Sequence, residues 1–286
     1  MALYRLVAQC APWLPRPVRL ALARLVATLL LQRMPREYLA VQRNLAHILP
    51  TATALEMAQH ARALFQNFAS FFTDLLSLNR SALLLQQRYI HSVHGLEHLQ
   101  GVLASPKGFV AATAHLGNWE LAGRLLSRYG RTLHVLMAPE RETVLEDFLR
   151  QRGEQEALHF VRLTGPTVFV QLLTALRRGE VVAVQTDRAT GHRSDVLVPF
   201  FGAPAPFPLG PFALAGAAQV PVLPCFCVMR PDQRYEIFVA EAIHVTRGHE
   251  EIALRQMVSV LERYVSMAPD QWYNFYDVWD TTQSAE

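Results

Sequence analysis

Residues 109–123 read Phe109-Val-Ala-Ala112-Thr-Ala-His115-Leu-Gly117-Asn118-Trp-Glu120-Leu-Ala-Gly123. The first six residues are apolar or small, the pattern of a strand buried on both faces. Gly117-Asn118 is a turn, and a helix is expected from Trp119 with Asn118 as its cap. The strand thus presents His115 at its carboxyl end, where open α/β sheets bind their ligands. Glu120 lies in the first helical turn and can fold back toward the imidazole. A carboxylate there would hold one ring tautomer and stabilise the imidazolium.

Outward from this block, strand and helix patterns alternate. Apolar runs at 132–138 and 181–186 repeat the strand signal, and helical stretches fall at about 119–128, 141–156 and 166–178. Residues 196–201, 221–229 and 235–240 read as further strands, and 249–267 as a long helix. This order predicts an α/β fold with a mostly parallel sheet. If the strands at 109–114 and 181–186 are parallel, Asp187 and Arg188 emerge on the same edge as His115. Asp187 is then a second candidate to orient or charge-pair the histidine. Arg188 could grip a phosphate or carboxylate with two parallel hydrogen bonds. From Val198 to Ala215 proline and glycine make a stiff loop feeding a helix near Gly210. Backbone N–H groups at Gly202, at Gly210 or near Asn118 are candidates for holding an anion or a developing oxyanion.

Toward the amino end, Thr53-Ala-Leu-Glu56 is a capping box for a helix over 54–78. Its Phe65, Phe68 and Phe72 would pack a core or line an acyl-chain groove. His91, His94 and His98 are interrupted by Gly95 and read as surface residues. The tail Gln271-Trp-Tyr-Asn-Phe-Tyr-Asp-Val-Trp279 is aromatic enough for a groove cap, a lipid contact or core.

The 286 residues carry a net charge of +3, but unevenly. Residues 1–50 hold seven arginines and one acid, Glu37, against a mildly acidic remainder. Lys107 is the only lysine. A basic arm interleaved with aliphatic runs points to a membrane surface and away from nucleic acid. Within 18–31, Arg19 and Arg24 break the apolar run that a spanning helix of roughly 20 residues requires. No cleavage site follows, which argues against a signal peptide. We expect a helix lying in the bilayer interface, with Arg16, Arg19 and Arg33 on one side, aliphatic residues opposite and Trp13 at headgroup depth.

Other classes lose support. The sequence has no Gly-x-Ser-x-Gly elbow, no Gly-x-Gly-x-x-Gly, no phosphate loop of the Walker type and no His-Glu-x-x-His. Its three cysteines, Cys10, Cys225 and Cys227, fit neither a disulfide scaffold nor a zinc site. No cofactor or metal is expected.

Together the blocks resemble the lipid A biosynthesis acyltransferase family, within the wider lysophospholipid acyltransferase-like group. The resemblance rests on His115-Leu-Gly-Asn-Trp-Glu120-Leu-Ala-Gly, Thr186-Asp-Arg188, Phe200-Phe-Gly-x-Pro, and Pro208-x-Gly-Pro-x-x-Leu-Ala215. Asn44-Leu, Val93-x-Gly95-x-Glu97 and Gln271-Trp272 match as flanks. It implies a single α/β domain over 37–286 with a mixed central sheet, preceded by a membrane-associated amino-terminal helix over 1–36. It also implies acyl transfer from an acyl carrier protein or coenzyme A thioester to a lipid hydroxyl, at the cytoplasmic face of a bacterial inner membrane. By resemblance His115 is the base, with Glu120 or Asp187 as its partner. Arg150 or Arg152 would lie near the site. The chain has Ala114 and Glu120 where glycerolipid members usually have Asn and Asp, which argues against a simple glycerophosphate acceptor. A phosphorylated glucosamine lipid, a mannosylated inositol lipid, an amino-acid lipid or a polyene head group all stay open. Two other readings use the same fold: a thioesterase, with water as acceptor, and a non-catalytic lipid-binding protein.

Overall fold

The structure, a computed structural model, describes residues 14–81, 83–137, 158–162, 167–191 and 194–280. Its strands are β1 (Ile90–His94), β2 (Phe109–Thr113), β3 (Leu133–Met137), β4 (Leu158–Arg162), β5 (Val181–Gln185), β6 (Asp195–Phe200), β7 (Ala203–Pro208), β8 (Val222–Met229) and β9 (Tyr235–Val239). Its helices are α1 (Arg16–Leu30), α2 (Pro35–Ile48), α3 (Ala54–Leu76), α4 (Leu83–Arg88), α5 (Leu96–Leu103), α6 (Trp119–Leu126), α7 (Val168–Arg177), α8 (Gly210–Ala218) and α9 (Glu250–Met267). Seven strands form one sheet in the order β1-β9-β8-β2-β5-β3-β4. Every pairing in it is parallel except β8 with β9. The mixed, mostly parallel sheet with helices packed on it is the expected class.

The central strands are continuous apolar runs because both of their faces are covered. On one face Val110, Ala112, Val182, Val184 and Phe226 meet residues of α2, α3, α7, α8 and α9. On the other, Phe109, Ala111, Val181 and Leu223 meet α5 and α6. The register places Thr113 opposite Gln185, so β2 and β5 end together and release His115 and Asp187 side by side.

Strands β1 and β4 close the two edges of the sheet and carry little apolar signal, Ile-His-Ser-Val-His and Leu-His-Phe-Val-Arg. The expected helix over 141–156 lies outside the described residues, as do Arg150 and Arg152.

The proline-rich stretch is a hairpin, not a loop. Strands β6 and β7 pair antiparallel around Phe201-Gly202, which both have positive φ, 48° and 78°. That is the two-residue turn whose twist suits a hairpin. Pro204, Pro206 and Pro208 recur at every second residue, so their nitrogens all face away from β6 and no ladder bond is lost.

The capping box forms as expected. Thr53 N donates to Glu56 Oε2 at 2.7 Å, and Glu56 N donates to Thr53 Oγ1 at 3.3 Å. Helix α1 packs along α3. Its arginines turn inward: Arg16 is 4% exposed and bound to Asp74 at 2.5 Å, and Arg24 donates to Asn67 at 2.9 Å. Val18, Leu22, Leu25, Val26 and Leu29 face outward instead. The amphipathic split is real, but the polar side meets the protein and the apolar side is exposed. Among the described residues no helix is long and apolar enough to cross a membrane. Trp13 lies outside them.

Candidate active site

His115 follows the end of β2, and its ring keeps 14% of its surface exposed. The next residues make a sharp turn. Gly117 has φ of 60°, and a Cβ built there would come within 2.1 Å of the Cys227 carbonyl oxygen. Only glycine fits so close an approach. Gly117 N donates to Gln271 O at 2.9 Å, and Asn118 N donates to Cys227 O at 2.6 Å. The Asn118 amide is therefore committed to β8, away from the oxyanion role suggested by its place in sequence. Its side chain instead caps α6 by accepting from Leu121 N at 3.1 Å.

Asp187 is fully buried and lies against the imidazole. Its Oδ1 is 2.8 Å from His115 Nδ1, and its Oδ2 accepts from His115 N at 3.0 Å. Trp272 Nε1 at 2.9 Å and Asn274 Nδ2 at 3.2 Å also donate to Oδ2. Burial alone would raise the Asp187 carboxyl. The His115 ring and backbone N–H, with Arg188 nearby, outweigh it and hold the group well below the usual carboxylate range. Asp187 is thus an anion that only accepts, so Nδ1 carries a proton and, in the neutral ring, Nε2 holds the lone pair. That is the tautomer a general base requires.

Glu120 is engaged elsewhere. Its carboxylate accepts from Arg124 Nε at 2.6 Å and from the Asn79 amide. Arg124 is 1% exposed, so this ion pair is nearly closed to water. Asn79 and Asn118 exchange reciprocal side-chain hydrogen bonds at 2.8 and 3.0 Å. The second half of the His-x4-Glu block therefore braces the turn from the α6 side.

Arg188 is on the expected edge, yet much of its guanidinium is occupied. Nε donates to Asn274 Oδ1 at 2.9 Å and Nη2 to Tyr273 O at 2.9 Å. It ties the tail to the site. Gly202 forms the hairpin turn and Gly210 opens α8. The hairpin reaches the site through Phe200, whose ring lies 5.5 Å from that of Trp272.

The tail is the part the sequence left undecided. Trp272 and Tyr273 are 1% and 2% exposed, and Leu116 bridges to Trp272. Gln271 clasps the backbone of Met229 through both of its amide atoms. Asn44 of α2 accepts from Val278 N and donates to the carbonyls of Asn274 and Tyr276. Phe65 and Phe68 pack edge-on against Phe275, 5.1 and 4.9 Å away, which makes them core residues around this tail.

An apolar cavity of about 560 Å³ opens on the α6 side of the sheet. Its floor is small: Ala111, Thr113, Ala183 and Cys225. Gly123 and Leu126 of α6 line it too, and burial pushes the Cys225 thiol up to about 12. Trp119 belongs both to this wall and to the surroundings of His115, its ring 5.2 Å from the imidazole. The cavity therefore starts one side chain away from the candidate base.

Similar proteins are lipid acyltransferases by name. The lipid A biosynthesis lauroyltransferase of Escherichia coli is 28% identical over 271 residues, covering 91% of this chain and 84% of that protein. A phosphatidylinositol mannoside acyltransferase of Mycobacterium tuberculosis is 26% identical over 243 residues, covering 84% and 76%. The 1-acyl-sn-glycerophosphate acyltransferase PlsC of Thermotoga maritima superposes with a TM-score of 0.43 at 16% identity, over 91% of this chain and 100% of that one. The family model for bacterial lipid A biosynthesis acyltransferases matches residues 2–281, and the chain belongs to that family.

Proposed function

We propose that this acyltransferase moves a fatty acyl group from a thioester, carried by acyl carrier protein or coenzyme A, to a hydroxyl of a glycolipid of the lipid A or phosphatidylinositol mannoside kind. The curated relatives act on lipids of those two kinds by name. The observation that carries the reading is the buried Asp187 carboxylate held 2.8 Å from Nδ1 of a partly exposed His115.

His115 Nε2 takes the proton of the acceptor hydroxyl as its oxygen attacks the thioester carbonyl. The tetrahedral oxyanion faces the electropositive start of α6, where the Trp119 N–H is the nearest donor in sequence. Collapse breaks the C–S bond, and the imidazolium returns its proton to the departing thiolate. Asp187 stays ionised throughout and keeps the ring oriented. General-base catalysis of this kind contributes roughly 10²–10⁴-fold. The 560 Å³ cavity would take the acyl chain, in place of the Phe65–Phe68 face suggested by the sequence. Its volume lies in the range of ordinary ligand sites. The outward Val18, Leu22, Leu25, Val26 and Leu29 stripe would seat α1 in the headgroup layer at the cytoplasmic face of the inner membrane.

The test is His115→Ala, assayed for acyl transfer to lipid acceptors with purified protein. The expected loss is about 10²-fold or more. Transfer within a few-fold of the parent removes His115 as base. Acyl release without an acceptor would favour the thioesterase reading.

A further inference from the structure

The two oxygens of the buried Asp187 carboxylate are used unequally. Oδ1 faces the His115 ring nitrogen at 2.8 Å. Oδ2 takes three donors: His115 N at 3.0 Å, Trp272 Nε1 at 2.9 Å and Asn274 Nδ2 at 3.2 Å. Two of the three come from the tail, and neither can turn round to accept. An indole N–H only donates. The Asn274 amide is fixed from its other end, where Oδ1 accepts from Arg188 Nε at 2.9 Å, and a guanidinium has no acceptor to offer. A reversed amide would set its NH₂ against Arg188 and its oxygen against the Asp187 carboxylate. Both donors stand on backbone that is itself held. Trp272 bridges to Leu116, the residue after His115, and Asn44 of α2 donates to Asn274 O at 3.1 Å. An unbroken run of hydrogen bonds thus leads from α2 through Asn274 and Asp187 to the imidazole.

A carboxylate has two equivalent oxygens, and the last torsion of an aspartate is broad and roughly two-fold. Left to itself the group could rotate and offer the ring either oxygen or neither. Three donors on Oδ2 remove that freedom. We propose that Trp272 and Asn274 are positioning residues for acyl transfer, which saturate Oδ2 so that Oδ1 stays on the His115 ring and Nε2 stays aimed at the acceptor hydroxyl. The inference rests on the reading of His115 as the base. Donors to a buried carboxylate also serve stability, so melting alone does not test it.

Two full-length variants separate this role from a structural one. Trp272→Phe keeps an aromatic ring and removes the indole donor. Asn274→Ala removes the amide donor and keeps the backbone carbonyl that Asn44 holds. Both are assayed with detergent-dispersed acceptor, so that membrane binding does not limit the rate, and melting is followed in parallel. The low-field proton resonance of the His115 Nδ1–H, bound to Asp187, is recorded by NMR and assigned by its absence from His115→Ala. In each variant kcat should fall about 10-fold or more while KM for donor and acceptor stays within about two-fold, because a small misplacement of the base slows chemistry. The Nδ1–H resonance should shift upfield or broaden away as Oδ1 leaves the ring. Parental kcat in the folded variants overturns the inference. So does a loss carried by KM alone, and so does a fall in kcat with the resonance unmoved. If Trp272→Phe does not fold, Asn274→Ala decides. Activity retained by His115→Ala would sink the base reading itself, whereas an inactive His115→Ala beside parental turnover in the two tail variants sinks only their positioning role.

Discussion

Replacing Asp187 by Asn changes one oxygen for nitrogen in a site where both oxygens already accept. Oδ1 takes the His115 Nδ1 proton at 2.8 Å, and Oδ2 takes protons from His115 N, Trp272 Nε1 and Asn274 Nδ2. The new NH₂ must face one side or the other. Turned toward Oδ2's partners, it opposes three buried N–H groups. Turned toward the ring, it opposes only one, which the imidazole can relieve by moving its proton to Nε2. The second arrangement loses fewer hydrogen bonds and so prevails. It also disables the base we propose, since Nε2 then carries the proton that it should receive. The same exchange in the serine protease triad costs about 10⁴ in kcat, the effect of a wrong tautomer. We expect about 10³–10⁴ here, roughly 4–5.5 kcal/mol of barrier at 1.36 kcal/mol per decade, with KM nearly unchanged. The assay is the initial rate of thioester consumption at saturating donor, with the acylated lipid identified by mass spectrometry. Glu120→Gln is the control, expected to lower kcat less than about 10-fold because Glu120 binds Arg124 and Asn79. The reasoning fails if folded Asp187→Asn keeps kcat within about 10-fold of the parent while Glu120→Gln loses about 10³.

Gly123 lines the cavity, and a Cβ there would lie 3.7 Å from Leu133 Cδ2, so Gly123→Leu adds its bulk to the cavity without backbone collision. Preference measured with a donor series should move to shorter chains, by about four-fold per excluded methylene at ~0.8 kcal/mol each. Changing Leu22, Leu25 and Leu29 to Glu should abolish cosedimentation with anionic vesicles and leave detergent-phase kcat intact, since these side chains point away from the protein. Asp187 has a depressed folded pKa, so the stability it supplies is present above the unfolded carboxyl value of about 3.9 and lost as pH falls below it. The difference in chemical-denaturation stability between parent and Asp187→Asn should therefore be full at pH 6 and shrink below about pH 4.

The central sheet was legible because burial on both faces leaves a strong mark. Phe109-Val-Ala-Ala and Val181-Val-Ala-Val admit no polar residue, and their spacing by helical stretches leaves the parallel arrangement as the simplest one. The edge strands were not legible, because β1 and β4 face water on one side and carry histidines and arginine where the pattern calls for apolar residues. Strand β6 was legible at 196–201, but β7 and the hairpin it makes were hidden by its prolines. Proline counts against a strand only where its N–H would join the ladder, and here the period-two placement removes that cost. Which side of α1 meets the protein was not legible, for a related reason. Arginines on a helix surface normally mark the wet side, but Asp74 and Asn67 supply buried partners that no local pattern reveals.

The site was half legible, and the division follows chain distance. His115 and the Asn118 cap belong to one turn, so spacing alone finds them. Asp187 could be nominated only through the parallel register that places Thr113 opposite Gln185. Trp272 and Asn274 lie 85 and 87 residues beyond Asp187, and nothing in their own segment says that they hold its carboxylate. Yet they answer a question the sequence could have posed. A carboxylate sealed at 0% exposure needs more donors than one imidazole can give. The tail's indole and amide add two donors to Oδ2, beside the His115 ring and backbone N–H and the nearby Arg188 that hold the acid ionised in the dry interior. By holding Oδ2 they keep Oδ1 turned to the His115 ring, and the aromatic tail is in this way a structural part of the candidate site.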